Sequence, residues 1–176
     1  AQGGKITNLT NSGYTSGSPA WTMDGNAILF TSERYGMRNH ASWGSMEDVF
    51  LCFVNQDAYD KYRLSKEDYE LLKEVEKEQE KLKKNADKKD AKKEDEKDSK
   101  DIVMEFDGIQ DRIVRLTPNS SSLGSAIIDK KGENLYYTAS FEGGMDLWKL
   151  DLRKKDVKLA NKGVGYASFE MSKDGK

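Results

Sequence analysis

Three stretches of this chain align without gaps, and that repetition limits its possible folds more than any other feature. Residues 18–25 (Ser-Pro-Ala-Trp-Thr-Met-Asp-Gly), 125–132 (Ser-Ala-Ile-Ile-Asp-Lys-Lys-Gly) and 168–175 (Ser-Phe-Glu-Met-Ser-Lys-Asp-Gly) each begin with Ser and end on a polar pair closed by Gly. Gly132 and Gly175 lie 43 residues apart. A period of about 40 to 45 residues is the length of one four-stranded propeller blade.

The segments after each Gly support blades. Residues 26–32 (Asn-Ala-Ile-Leu-Phe-Thr-Ser) and 133–140 (Glu-Asn-Leu-Tyr-Tyr-Thr-Ala-Ser) are β-branched and aromatic runs suited to a pleated, half-buried surface. Residues 48–54 and 146–152 follow as third strands. In the latter, Trp148, Leu150 and Leu152 alternate with Leu147, Lys149 and Asp151 and give one face a continuous apolar side. The Asp-Gly and Lys-Gly pairs supply the positive φ that a tight antiparallel turn needs. The predicted unit is strand, Gly turn, strand, loop, strand.

Gly25 and Gly132 are 107 residues apart, well over one period, and two insertions explain the excess. From Gly25 to Asp48 is 23 positions against 14 from Gly132 to Asp146, so the loop over 33–47 is longer by nine. The remainder falls after the third strand, before strand character resumes at 102–106 and 112–117. The insertion therefore sits between two strands of one blade. An outer strand of a preceding blade is predicted at residues 5–10. The fold expected is all-β: a β-propeller fragment of two full four-stranded blades plus partial blades, with a charged helical insertion. Its divisions are 1–54 (a partial blade and the start of the first full blade), 55–101 (the charged insertion) and 102–176. The last holds the outer strand of the first full blade, the second full blade and the start of the next. Such units bury their faces against neighbours, so open edges are left either for further residues of the ring or for subunits of a homo-oligomer.

Of 176 residues, 29 are Lys or Arg and 31 are Asp or Glu, a net charge of −2. That balance argues against nucleic acid as a partner, because a phosphate-binding surface leaves a basic excess. Residues 65–101 alone hold 12 Lys and 14 Asp or Glu, so the low mean hydropathy belongs to one tract. No apolar run reaches the ~20 residues of a membrane-spanning helix. The first residues lack the pattern of a signal peptide, which fits a cytosolic chain or an internal piece of a longer one. Cys52 stands alone in a strand pattern and reads as a buried small hydrophobe, with no disulfide or cysteine metal site.

Within the tract, Ser65-Lys-Glu-Asp68 matches a capping box in its looser form, and Glu–Lys pairs recur at helical spacing from Glu70 to Lys84. A helix is predicted over 65–84, with Tyr69, Leu72, Val75 and Leu82 as a thin apolar stripe, followed by a poorly ordered charged tail. The stripe is too short for a coiled coil. Asp87, Asp90 and Glu94 lack the spacing of a calcium loop, so no metal or other cofactor is expected.

The long loop mixes polar and aromatic groups densely. It holds the sole His, His40, with Ser42, Ser45 and Asp48 near in sequence. Catalytic triads are assembled from separate, rigid elements, so four candidates within nine residues read as coincidence, and no catalytic residue is assigned. Recognition suits the loop better. Arg34, Arg38, His40 and Trp43 supply donors and an aromatic plate for a carboxylate or a peptide, or for a neighbouring domain. Anchoring the loop to the blade edge is the competing role.

With the repeats laid out, residues 30–36 (Phe-Thr-Ser-Glu-Arg-Tyr-Gly) resemble the Phe-x-Ser-Asp-Arg-x-Gly element of TolB-like and tricorn-type β-propellers, and residues 18–25 their Ser-Pro-x-Trp-Ser-Pro-Asp-Gly element. Residues 106–117 (Phe-Asp-Gly-Ile-Gln-Asp-Arg-Ile-Val-Arg-Leu-Thr) are similar to a strand of tricorn protease relatives. In that family propellers precede a PDZ module and a C-terminal serine peptidase core. The resemblance implies a non-catalytic propeller segment of a serine endopeptidase acting on peptides or unfolded chains, with the propeller as gate, substrate filter or assembly surface. The alternatives are a TolB-like protein-binding module, or a scaffold, without protease activity. The family's nucleophile and base have no counterpart in this chain. Bacterial relatives imply an exported, periplasmic setting; the archaeal type implies the cytoplasm.

Overall fold

Asp24, Gly25 and Gly132 all take left-handed backbone angles, with φ of 53°, 83° and 69°. Each Gly thereby reverses the chain between two antiparallel strands at a conformation costly to other residues. The computed structural model describes residues 4–38, 44–87, 102–141 and 143–172. Around the first turn, β1 (Ser16–Thr22) pairs with β2 (Ala27–Ser32), followed by β3 (Asp48–Phe53) and the short β4 (Ile113–Arg115). Around the second, β5 (Ser122–Ile128) pairs with β6 (Asn134–Ser140), then β7 (Met145–Asp151) and β8 (Asp156–Asn161). The result is two four-stranded antiparallel sheets in simple sequential order.

The sheets are equivalent in register. Trp21↔Ile28 in the first corresponds to Ile128↔Leu135 in the second, and Ser32↔Asp48 to Ala139↔Asp146. The register skips once in each innermost pair, between Gly17 and Ala20 and between Leu123 and Ala126. Bulges at matched positions increase local twist in the same place in both sheets.

Period two then sorts the side chains onto faces. Leu29, Val49, Leu51 and Phe53 of the first sheet join Ile128, Leu135, Tyr137, Ala139 and Leu150 of the second in one buried cluster. Burying each large aliphatic or aromatic side chain contributes roughly 1.5–3 kcal/mol, so this interface holds the sheets face to face. The first sheet's other face carries Phe30, Phe50 and Cys52, covered by Ile109, Met104 and Leu9. Burial pushes the Cys52 thiol up and the Tyr137 phenol up to about 12.

The insertion leaves after β3 and returns before β4. It contains two helices, α1 (Gln56–Arg63) and α2 (Lys66–Asp87). The sequence reading expects one helix over 65–84 and misses α1. Its N-cap is Asn55, whose side chain accepts from Ala58 N at 2.9 Å. Ser65 caps α2 as expected, accepting from Asp68 N at 3.1 Å. The apolar stripe seats only at its start: Tyr69 is buried, whereas Val75 and Leu82 are exposed.

Two expected strands are absent. Residues 5–10 are irregular, with Ile6 exposed and the Asn8 side chain accepting from Asn11 N at 3.0 Å, so a local turn takes the place of ladder bonds. Residues 102–106 run without regular structure, because their polar groups are used individually. Glu105 N donates to Val54 O at 2.8 Å, and its carbonyl accepts from Arg112. Residues 162–172 contain no strand, and Gly175 of the third repeat copy lies outside the described residues.

Candidate functional site

The β2–β3 loop is shaped by its glycine. Gly36 N donates to Glu33 O at 3.2 Å and Met46 N to Met37 O at 3.0 Å, folding the loop back on itself. A Cβ at Gly36 would collide with the Met46 carbonyl, so only Gly fits there. Just ahead of it, Tyr35 stacks on Phe50 with ring centroids 5.9 Å apart. The Arg34 and Arg115 guanidinium carbons lie 5.5 and 5.2 Å from the Tyr35 ring centroid, and Arg38 lies 4.9 Å from that of Tyr14. Contacts of this kind are worth about 0.5–1 kcal/mol at exposed sites, enough to bias the arginines without consuming their donors.

Arg34 and Arg38 are thus held on two separate tyrosine seats, each without a carboxylate partner among the described residues. His40 and Trp43, the other two predicted members, lie outside the described residues, as does Ser42.

Asp48 is committed elsewhere. It is fully buried and accepts from Arg115 Nη2 at 2.9 Å, Thr117 Oγ1 at 2.8 Å and Ser120 Oγ at 2.8 Å. A buried carboxylate with its lone pairs occupied by donors is a structural anchor, here tying β3 to the chain after β4. Nearby, burial pushes the Glu47 carboxyl up, with Glu33 adding to the effect.

The pattern of residues 106–117 has a physical basis in the structure. Gly108 takes φ 65°, Ile109 is wholly buried, and Arg112, itself buried, donates to three backbone carbonyls: Phe53 at 3.3 Å, Asp107 at 3.0 Å, and Glu105. Arg115 and Leu116 then supply the Asp48 contact and a core side chain. These residues build the outer strand and contribute nothing reactive.

At the opposite end, where the Gly turns lie, an open groove of about 860 Å³ runs between the turns and the inserted helices. Its walls mix Asp24, Asp57 and Glu105 with Lys61, Lys130, Lys131 and Arg153, so charges of both signs are interspersed along it. Tyr69, expected only as part of the helix's apolar stripe, meets Tyr62, Glu133 and Arg153 there and beside it, three residues that no sequence signal picks out. They are separated by up to about 90 positions, and no local pattern joins them. Among the described residues no three His, Cys, Asp or Glu side chains converge as metal ligands, and no helix is long and apolar enough to cross a membrane.

No protein-family profile matches the chain, and no curated protein matches it. Among solved structures it is similar to TolB from Acinetobacter baumannii, at 15% identity and a TM-score of 0.46 over 96% of this chain and 27% of that one. It is also similar to the tricorn protease, at 10% identity and a TM-score of 0.53 over 96% of this chain and 15% of that one. The chain thus spans less than a third of either. The second likeness shows the fold: the two sheets are blades of a β-propeller.

Proposed function

We propose that this chain is a binding and assembly segment of a propeller in a tricorn-like serine endopeptidase, with hydrolysis carried by residues outside it. The observation that carries the reading is the pairing of a blade framework with an exposed recognition loop. Arg34 and Arg38 sit over tyrosine rings with no carboxylate partner among the described residues, a chemistry matched to peptide carboxylates or to carbonyls of an unfolded chain. The peptidase assignment rests on the resemblance of residues 106–117 to tricorn protease relatives, with residues 18–25 and 30–36 supporting the propeller; the setting is periplasmic if the parent is of the bacterial type and cytoplasmic if of the archaeal type.

The test is fluorescence anisotropy of a labelled, permanently unfolded protein, such as reduced and carboxymethylated lactalbumin, against this chain. Saturable binding is expected, weakened at least about tenfold by the Arg34→Ala/Arg38→Ala pair, the loss of two charge-assisted contacts. Binding that ignores both substitutions overturns the recognition role. Peptide turnover by the purified chain, abolished by Ser42→Ala, overturns the division of labour. In the complete reading frame, a PDZ module followed by a Ser nucleophile core is the expected context.

A further inference from the structure

The insertion belongs by sequence to the first blade, and α1 packs on β3 of that blade, yet side chains of the second blade hold it as well. At its base it is stitched to its own blade: Gln56 N donates to Glu105 Oε2 at 2.8 Å, and Arg112 holds the carbonyls of Phe53 and Asp107. Above that base the contacts change blades. Arg153, in the β7–β8 turn, donates through Nη1 to the carbonyls of Tyr62 and of Leu64, the latter at 3.3 Å, which are orphaned at the end of α1. Its guanidinium carbon lies 3.9 Å from the Tyr69 ring centroid and 5.7 Å from that of Tyr62.

Lys155 of the same turn donates to the Tyr62 hydroxyl, and Lys73 of α2 pairs with Glu133 beside the β5–β6 turn. Lys61 and Glu76, 2.7 Å apart, tie α1 to α2. Tyr62 completes the link from below, its ring 5.0 Å from that of Phe53 inside the inter-blade core.

From this arrangement we infer that the helical insertion is an inter-blade clasp: it is rooted in the first blade and grips two turns of the second through Arg153, Lys155 and Glu133. A propeller blade ordinarily meets its neighbour through sheet faces alone, so a terminal blade is held at one face only. The clasp adds a second attachment away from that face and so fixes the angle between the blades. The inference is independent of peptide binding, since none of these residues lies on the β2–β3 loop.

Hydrogen exchange by mass spectrometry on the 176-residue chain tests it. In Arg153→Ala, exchange over residues 56–73 rises at least about tenfold, the loss of one charged donor to two helix-end carbonyls, while β2 and β3 keep their protection. Arg153→Lys, which keeps the charge but not the fork, falls between. In low urea, the wild-type amides of α1 and β6 open together; in Arg153→Ala they open separately. If Arg153→Ala does not fold, the charge swap decides: Lys73→Glu loosens α2, and adding Glu133→Lys restores its protection. Wild-type exchange over 56–73 in Arg153→Ala, or a double swap no better protected than Lys73→Glu alone, overturns the clasp.

Discussion

The two blades share one backbone plan and dress it differently. Leu29, Leu51 and Phe53 of the first blade occupy the positions that Tyr136, Lys149 and Asp151 occupy in the second, as their pairing partners show. In the first blade that face is buried against its neighbour, and the opposite face is also apolar, with Phe30, Phe50 and Cys52. The second blade buries Leu135, Tyr137 and Leu150 on one face and turns Asn134, Tyr136, Lys149 and Asp151, all half-buried, to the other. Register is thus set by turns, bulges and backbone pairing, whereas polarity is set by what covers each face. Equal geometry does not require equal side chains.

The largest contrast is expected at one equivalent pair of positions. Leu51→Ala should cost about 2–5 kcal/mol, the transfer term plus a cavity in a fully buried site. Lys149→Ala, at the matching position of the second blade, should stay within about 0.5 kcal/mol. Urea unfolding of the two variants measures both. Comparable losses would mean that the second blade's outer face carries as much packing as the first blade's inner one.

A smaller difference is expected between the two aspartates that open the third strands. Asp48 holds three side-chain donors in a buried setting, so Asp48→Ala should cost about 2–3 kcal/mol by removing the shared acceptor of Thr117, Ser120 and Arg115. Asp146 accepts from Gly163 N at 2.7 Å in an exposed setting, and Asp146→Ala should cost about 1 kcal/mol or less. Thermal melts of both variants rank them, and the reverse order would break the assignment of Asp48 as an anchor.

The smallest effect is alkaline. The Tyr137 phenol titrates at about 12 in the folded chain against an ordinary 10, because burial disfavours the charged form. Its neutral form therefore supports the fold below pH 10, and that support fades as pH climbs from 10 toward 12. The Lys73 ammonium is held above its ordinary value by its hydrogen bond to Glu133, so its contribution too is present below 10.5 and lost above. Melting temperature should fall across this window and fall less steeply in Tyr137→Phe. An unchanged slope in that variant would contradict the buried phenol.

Much of the blade plan is legible in the sequence because its determinants are local. Positive φ at Gly25 and Gly132, period-two alternation in residues 146–152 and the capping Ser65 each act within a few positions. Residues 5–10 and 102–106 have strand composition but form no ladder, and composition alone does not supply one. Of the candidate loop, Arg34 and Arg38 are found on aromatic seats, whereas the stacking of Tyr35 on Phe50 and the commitment of Asp48 to Arg115 depend on elements far apart in the chain. The clasp was hidden for the same reason. Arg153 looks like an ordinary turn residue until the insertion folds back over it.

Phase between the sheets is best tested by nuclear Overhauser contacts among the methyl and aromatic protons of the isotopically labelled chain. Cross-peaks should link the side chains of Leu29 and Leu51 with the Leu135, Tyr137 and Leu150 set, while Phe30 and Phe50 connect to Ile109 and not to the second sheet. Contacts from Phe30 or Phe50 to Leu135 or Leu150 would place the wrong face between the blades and contradict the propeller arrangement.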